Sequence, residues 1–178
     1  MSVPLLVALA GVFGLLIGSF LNVCALRWPE GRSVVRPPSS CPSCGAGVRW
    51  YDNVPVLSWL LLRGRCRNCS ARISVQYPMV ELATGVTRAG LVWLYGPTVE
   101  AAGGALFLTL LLGIAVSDAR YYLIPDQFSL GGLALGLALS PFVELGFPRV
   151  LAGAVVGFGL LWLLAWLGEK AFKKEAMG

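Results

Sequence analysis

Histidine is absent from all 178 residues. Its absence excludes imidazole metal sites, histidine-based catalytic triads and histidine proton relays. Charge is scarce as well: Asp, Glu, Lys and Arg make up 13% of the chain, against 57% hydrophobic residues. That balance excludes an ordinary soluble domain and places the chain in the membrane class. Acids are scarcer than bases, 9 against 14, for a formal net charge of +5. The basic residues flank apolar runs and form no groove with aromatic platforms. Nucleic acid is therefore excluded as a partner, and membrane lipid is the expected surroundings.

Long charge-free runs carry most of the chain. Val3 to Leu26 is 24 residues without a charge, enough to cross a hydrocarbon core of about 30 Å with some tilt. It has no basic n-region and no small-residue cleavage site, so it reads as a retained first helix and not as a signal peptide. Gly11, Gly14 and Gly18 put small residues on or near one face, which suits close packing on a second helix. Asn22 is expected to hydrogen-bond to a neighbour, and Cys24 to be a packed thiol. Pro78 to Tyr95 is a weaker helix, broken by Glu81 and Arg88 on one face. They read as an interior pair or as residues near opposite boundaries; the sharper reading has Glu81 facing a site. Ala101–Ser117, Gln127–Val143 and Val150–Gly168 supply runs of 17, 17 and 19 residues, each near the minimum for a span. Glu144 to Arg149 reads as a turn, and the chain closes on a polar tail from Glu169.

Residues 27–77 are of another kind, with eight arginines, only Glu30 and Asp52 as acids, and prolines at 29, 37, 38, 42 and 55. Here Cys41-Pro42-Ser43-Cys44 and Cys66-Arg67-Asn68-Cys69 stand 21 residues apart. A C-x-x-C turn aims two sulfurs at one point, and two such turns complete a tetrahedral thiolate cage for Zn²⁺. Gly45 suits the tight turn, and the nearby arginines favour thiolates. Four thiolates leave no open coordination position, so the metal is expected to be structural, stapling a segment too small to hold itself together. The competing reading is a redox or disulfide pair, which the basic, cytosol-like character of the segment disfavours.

Between two apolar runs lies Ser117-Asp118-Ala119-Arg120-Tyr121-Tyr122-Leu123-Ile124-Pro125-Asp126. An aspartate at the mouth of a membrane helix is costly, which points Asp118 toward function. The plainer reading is a juxtamembrane turn, with Asp118 closing one helix and Asp126 capping the next.

Five spans follow, and the positive-inside rule orients them. With residues 27–77 cytosolic, the N-terminus is outside and twelve of the fourteen basic residues fall on the cytosolic side. Arg149 is then outside and Arg88 lies within a span. The expected fold is an all-α polytopic membrane protein with about five transmembrane helices and a small cytosolic zinc-knuckle domain between the first two. The expected domains are a first helix over 1–26, the four-cysteine zinc-binding module over 27–77 and a membrane domain over 78–178.

These stretches together resemble one family. Gly18-Ser19-Phe20-Leu21-Asn22-Val23 with Arg27 and Pro29 resembles the first-helix signature of bacterial type IV prepilin leader peptidases. The paired C-x-x-C motifs, Asp52-Asn53-Val54-Pro55-Val56-Leu57-Ser58-Trp59-Leu60 and Arg63-Gly64-Arg65-Cys66 fit its cytosolic domain. Tyr77-Pro78-Met79-Val80-Glu81-Leu82 resembles the entry to its second helix, and Asp118 with Ile124-Pro125-Asp126 the region of its first catalytic aspartate. The resemblance covers nearly the whole chain.

The resemblance implies a bifunctional enzyme of the bacterial cytoplasmic (inner) membrane. Such an enzyme cleaves the basic leader from type IV prepilins and type II secretion pseudopilins at the cytosolic face. It then methylates the new N-terminal amine with S-adenosylmethionine. In cleavage two aspartates activate a water, one as base while the other, kept protonated, polarises the carbonyl. By resemblance Asp118 is the first of them, and Asp126 caps a helix or shapes the loop. The second aspartate of the family follows a Gly-x-Gly frame. Ala176-Met177-Gly178 looks like the start of that frame, and Glu169 and Glu175 lack it, so the chain is expected to be incomplete and inactive alone in cleavage. No glycine-rich strand–turn–helix fingerprint places the methyl donor. The alternatives are a non-catalytic zinc-knuckle protein binding a partner in pilus or secretion assembly, and a methyltransferase without proteolysis.

Overall fold

The computed structural model describes residues 2–143 and 146–172, with side chains omitted at Glu169, Ala171 and Phe172. Among the described residues there are six α-helices: α1 (Val3–Arg27), α2 (Leu57–Leu61), α3 (Gln76–Tyr95), α4 (Val99–Tyr121), α5 (Asp126–Leu139) and α6 (Gly146–Phe172). Among the described residues there is no strand, and the extended pairing consists of two isolated bridges, Ser40–Gly47 and Arg65–Arg72. The chain forms two compact units, residues 1–132 and 133–178.

In the first unit, α1 and α3 lie against each other along small residues. A Cβ at Gly14 would stand 2.6 Å from the Thr84 carbonyl oxygen, and one at Gly18 would stand 2.6 Å from the Glu81 Cα. Both obstacles are backbone, which cannot swing aside. Gly18→Val is therefore expected to push α1 off α3 and to cost about 1–3 kcal/mol through overpacking. An unchanged thermal midpoint of the purified variant would contradict this packing. Around the seam Leu21, Cys24, Ala25, Val80 and Phe128 form a buried cluster. Gly113 leaves room for the Phe128 ring, which meets Trp28 edge-on at 4.7 Å.

Polar groups tie these helices where the bilayer offers no water. Asn22 is 1% exposed; its amide donates to the carbonyls of Gly18 and Tyr77, both at 3.2 Å, as expected of a polar residue there. Cys24 packs as a buried thiol. Glu81 and Arg88, however, do not pair with each other. Glu81 accepts from the Val56 N–H at 2.7 Å, whereas Arg88 donates to the Thr109 hydroxyl at 2.9 Å and lies over the Phe13 ring.

Among the described residues three helices are long and apolar enough to cross a membrane: α1, α4 and residues Gly146–Gly168 of α6. The other two expected spans are helical but differ. α3 carries Glu81 and Arg88 and packs against α1. The run expected over 127–143 divides into the 14-residue α5 and a 3₁₀ turn at Ser140–Phe142. At about 1.5 Å per residue, α5 is shorter than a core of about 30 Å. The all-α, polytopic architecture with the four-cysteine module between α1 and α3 stands.

In the second unit the expected turn at 144–149 is largely helix. Glu144 and Leu145 lie outside the described residues, but α6 already begins at Gly146 and takes Pro148 into its first turn, where a missing N–H costs nothing. α6 also runs to Phe172, past the expected start of the tail. Lys173, Lys174, Glu175 and Ala176-Met177-Gly178 lie outside the described residues, as does the Glu169 side chain.

Candidate functional site

Each C-x-x-C lies in a tight hairpin turn, and the two turns are built alike. In the first, the Cys41 N–H donates to the Ala46 carbonyl at 2.9 Å and the Gly45 N–H returns to the Cys41 carbonyl at 2.9 Å. In the second, the Cys66 N–H donates to Ala71 at 2.8 Å and the Ser70 N–H to Cys66 at 2.9 Å. The residue after each second cysteine needs positive φ: Gly45 has +70°, and Ser70 takes the same place at +58°. Glycine signals such a turn in a sequence; serine does not.

The hairpins bring Cys41, Cys44, Cys66 and Cys69 together, with all four sulfurs within 4.8 Å of one another. This cluster could hold a metal ion. Cys41 and Cys69 are 3.8 Å apart, beyond any S–S bond. Backbone N–H groups of Cys44 and Ser43 pull the Cys41 thiol down to about 6. The Ala46 N–H, then the Asn68 amide, lowers Cys44. At Cys69 the Ala71 N–H also favours the thiolate. It is outweighed by Cys44, burial and the remaining sulfurs, and the thiol is pushed up to about 12. A bound cation would offset the mutual repulsion of four sulfurs crowded in this way.

Around the cluster, Arg67 grips Asp52 through two parallel bonds of 2.8 and 2.7 Å, which holds the Asp52 carboxyl below its ordinary range. This pair ties the second knuckle to the 3₁₀ turn Trp50–Asn53. The signal for it was the scarcity of acids in residues 27–77.

Asp118 stands in the last turn of α4, exposed. Among the described residues its carboxylate accepts no hydrogen bond and forms no ion pair. The turn around it is nonetheless fastened. Ser117, 0% exposed, donates to the Ala25 carbonyl at 3.3 Å. Arg120 donates to Gln76 at 2.8 Å, and Tyr121 to the Leu26 carbonyl at 3.2 Å and to Glu30 at 3.0 Å. Tyr122 closes the helix with φ +51° and its N–H on the Asp118 carbonyl. The result is a free carboxylate on a fixed backbone. Asp126 opens α5, where the helix dipole favours its charge, but its carboxylate accepts no capping bond among the described residues.

A cavity of about 830 Å³ lies between the four-cysteine module and the ends of α1, α3 and α4, lined among others by Glu30, Asp52, Glu81, Arg120 and Tyr121. Asp118 is not part of its wall. The structure therefore brings the four cysteines together and leaves both aspartates outside that group. Sequence reasoning missed Ser70 and the bond from Val56 to Glu81, for which an acid in an apolar helix was the signal.

Residues 12–95 match the family model described as the bacterial peptidase A24 N-terminal domain, and residues 105–178 match that of the type IV leader peptidase family. Similar curated proteins carry the name prepilin leader peptidase/N-methyltransferase. One from Myxococcus xanthus is 41% identical over 98% of this chain and 52% of its own length. One from Pseudomonas putida is 38% identical over 97% of this chain and 68% of its own. One from Neisseria gonorrhoeae is 35% identical over 98% and 70%. The chain thus spans between about half and just over two thirds of the lengths of these relatives. No solved structure gives a significant match.

Proposed function

Because the chain belongs to the prepilin leader peptidase/N-methyltransferase family, we propose that it is the N-terminal and first catalytic part of a membrane aspartic endopeptidase. The enzyme removes the basic leader from type IV prepilins and type II secretion pseudopilins, then methylates the new N-terminal amine from S-adenosylmethionine. The observation that carries the reading is an identity of 35–41% over at least 97% of the chain to relatives bearing both activities in their name.

In this reading Asp118 is one of two carboxylates that activate the attacking water. Its partner comes from the part of the family's length that this chain does not span. Among the described residues no bond competes for the Asp118 carboxylate, which supports the role, since a catalytic base must be free to take a proton. Cys41, Cys44, Cys66 and Cys69 hold a structural Zn²⁺. Their donor set fits, because four sulfurs about 2.3 Å from a central zinc lie about 3.8 Å from each other. The Cys41–Cys69 separation is 3.8 Å. The module is residues 27–77, between a first helix over 1–26 and a membrane peptidase domain over 78–178. The enzyme sits in the cytoplasmic membrane with its N-terminus outside and the module and Asp118 on the cytosolic side, as the distribution of arginine and lysine favours.

The test is to incubate the purified full-length enzyme with a prepilin and S-adenosylmethionine, and to read the product by mass spectrometry. Loss of the leader with gain of one methyl group is expected. Methyl transfer to a pre-cleaved pilin without cleavage of the intact one would leave a methyltransferase only. Neither product would leave a binding protein.

A further inference from the structure

Residues Val54-Pro55-Val56-Leu57-Ser58-Trp59-Leu60-Leu61-Leu62 carry no charge and form the most apolar stretch of the arginine-rich module. Nothing in a water-exposed zinc module calls for such a run. α2 lies within it and shows two unlike sides. Ser58, Trp59 and Leu62 turn toward the large cavity, with the Ser58 hydroxyl donating to the Tyr51 carbonyl at 2.9 Å. Leu57, Leu60 and Leu61, at the i, i+3 and i+4 positions of one face, line neither the large cavity nor the groove beside α1 and are 58%, 57% and 82% exposed.

The position of this face along α1 decides what covers it. The Val56 N–H bonds to Glu81, and Glu81 lies opposite Gly18. Pro55 shares a groove of about 330 Å³ with Leu16, Ser19, Phe20 and Val23 of α1. Ser19 precedes Arg27 by eight residues, about 12 Å along the helix. A hydrocarbon core of about 30 Å takes about 20 residues of α1 counted from Val3, and so ends near Asn22. With the core placed so, the start of α2 would lie roughly 5 Å beneath the hydrocarbon boundary, a depth typical of interfacial helices. Leu16 and Phe20, the neighbouring lipid-facing residues of α1, are 53% and 52% exposed.

The backbone is prepared for such a place. Val56 has φ +61° and ψ −52°, and the Leu57 N–H bonds to the Pro55 carbonyl at 2.6 Å, a tight γ-turn of the strained kind. Its own N–H would be orphaned in an apolar medium, where each unpaired group costs several kcal/mol. The Glu81 carboxylate takes it. Exposed Arg63 and Arg65 follow the leucines directly, at the point where the chain would return to the phosphate level.

We infer that residues 54–62 form a membrane-dipping element, with Leu57, Leu60 and Leu61 set among the lipid acyl chains of the leaflet on the module's side. The zinc module is then seated on the bilayer by α2 in addition to its two helical tethers.

The full-length protein, reconstituted in vesicles of phosphatidylethanolamine and phosphatidylglycerol, tests this. A keto-bearing amino acid placed at position 57 or 61 takes a spin label without touching the cysteines. Labels at both positions are expected to collide severalfold more with oxygen than with a water-soluble nickel chelate, and a label at Asn68 to show the reverse. A label at position 61 as open to nickel as that at 68 would overturn the inference in favour of water. One closed to both reagents would overturn it in favour of a covering protein surface. On the unmodified chain, carbene labelling from within the lipid should mark residues 54–62 along with α1. Adducts on α1 with none on 54–62 would equally reject it.

Discussion

Asp118→Asn in the full-length enzyme is expected to abolish leader cleavage while leaving the protein folded and inserted. Asparagine matches aspartate in size but cannot accept a proton from water. Positioned acid–base groups contribute about 10²- to 10⁴-fold to rate, and an aspartic pair that has lost one member keeps neither half of its cycle. A loss of at least that size is therefore expected. The structure separates this from a folding defect. The Asp118 carboxylate makes no hydrogen bond or ion pair among the described residues, whereas Ser117, Arg120 and Tyr121 hold the turn. Methylation of a pre-cleaved pilin should survive, since it needs no activated water. Asp126→Asn is the matched control: it removes only a favourable charge at the start of α5, worth about 0.3–1 kcal/mol of helix stability, and cleavage should stay within a fewfold of wild type. Residual cleavage by Asp118→Asn near the wild-type rate would remove this residue from the mechanism.

What could be read from the chain alone followed from how local each signal is. The spans at α1 and α4 are written as charge-free runs, so their existence needed no tertiary information. The cysteine cage is written as two spacings, and the hairpins merely execute them. Gly14 and Gly18 announced a close helix partner, and the fold makes it the stretch from Val80 to Gly85. Glu81 and Arg88 show where local reading fails. Their seven-residue spacing suggested a pair, but each is satisfied by a group distant in sequence, Val56 for one and Thr109 for the other. The leucine run before Cys66 was similarly opaque. As sequence it passes for part of a small cytosolic domain, and only the Val56–Glu81 bond and the groove Pro55 shares with α1 bring it beside the membrane helices. Hydrophobic length also hid the break in the region after Asp126, where α5 ends after 14 residues and a 3₁₀ turn follows.

Substituting Cys41 and Cys66 together by serine should empty the cage and unfold the module without dislodging the helices. One sulfur is removed from each hairpin, so no complete pair remains to hold the ion at reduced coordination. Serine hydroxyls are not deprotonated near neutrality and do not replace thiolates. Structural zinc supplies roughly 10–16 kcal/mol of apparent binding free energy in small domains, far more than the few bonds otherwise holding the two hairpins together. The Arg67–Asp52 pair, with Arg67 about half exposed, is no substitute. Zinc measured on the purified protein should fall from about one ion per chain toward none, and limited proteolysis should open sites within residues 27–77. The α1–α3 packing, which rests on Gly14, Gly18 and Thr84, should persist as undiminished helical signal. If the inferred seating of α2 holds, residues 54–62 should stay protected while the knuckles are cut, because lipid and Glu81 retain them when the metal is gone. Unchanged zinc stoichiometry in the double variant would refute the four-sulfur cage. Zinc loss with an uncut module would show that the arginine–aspartate pair and the membrane carry the fold that the metal is expected to carry.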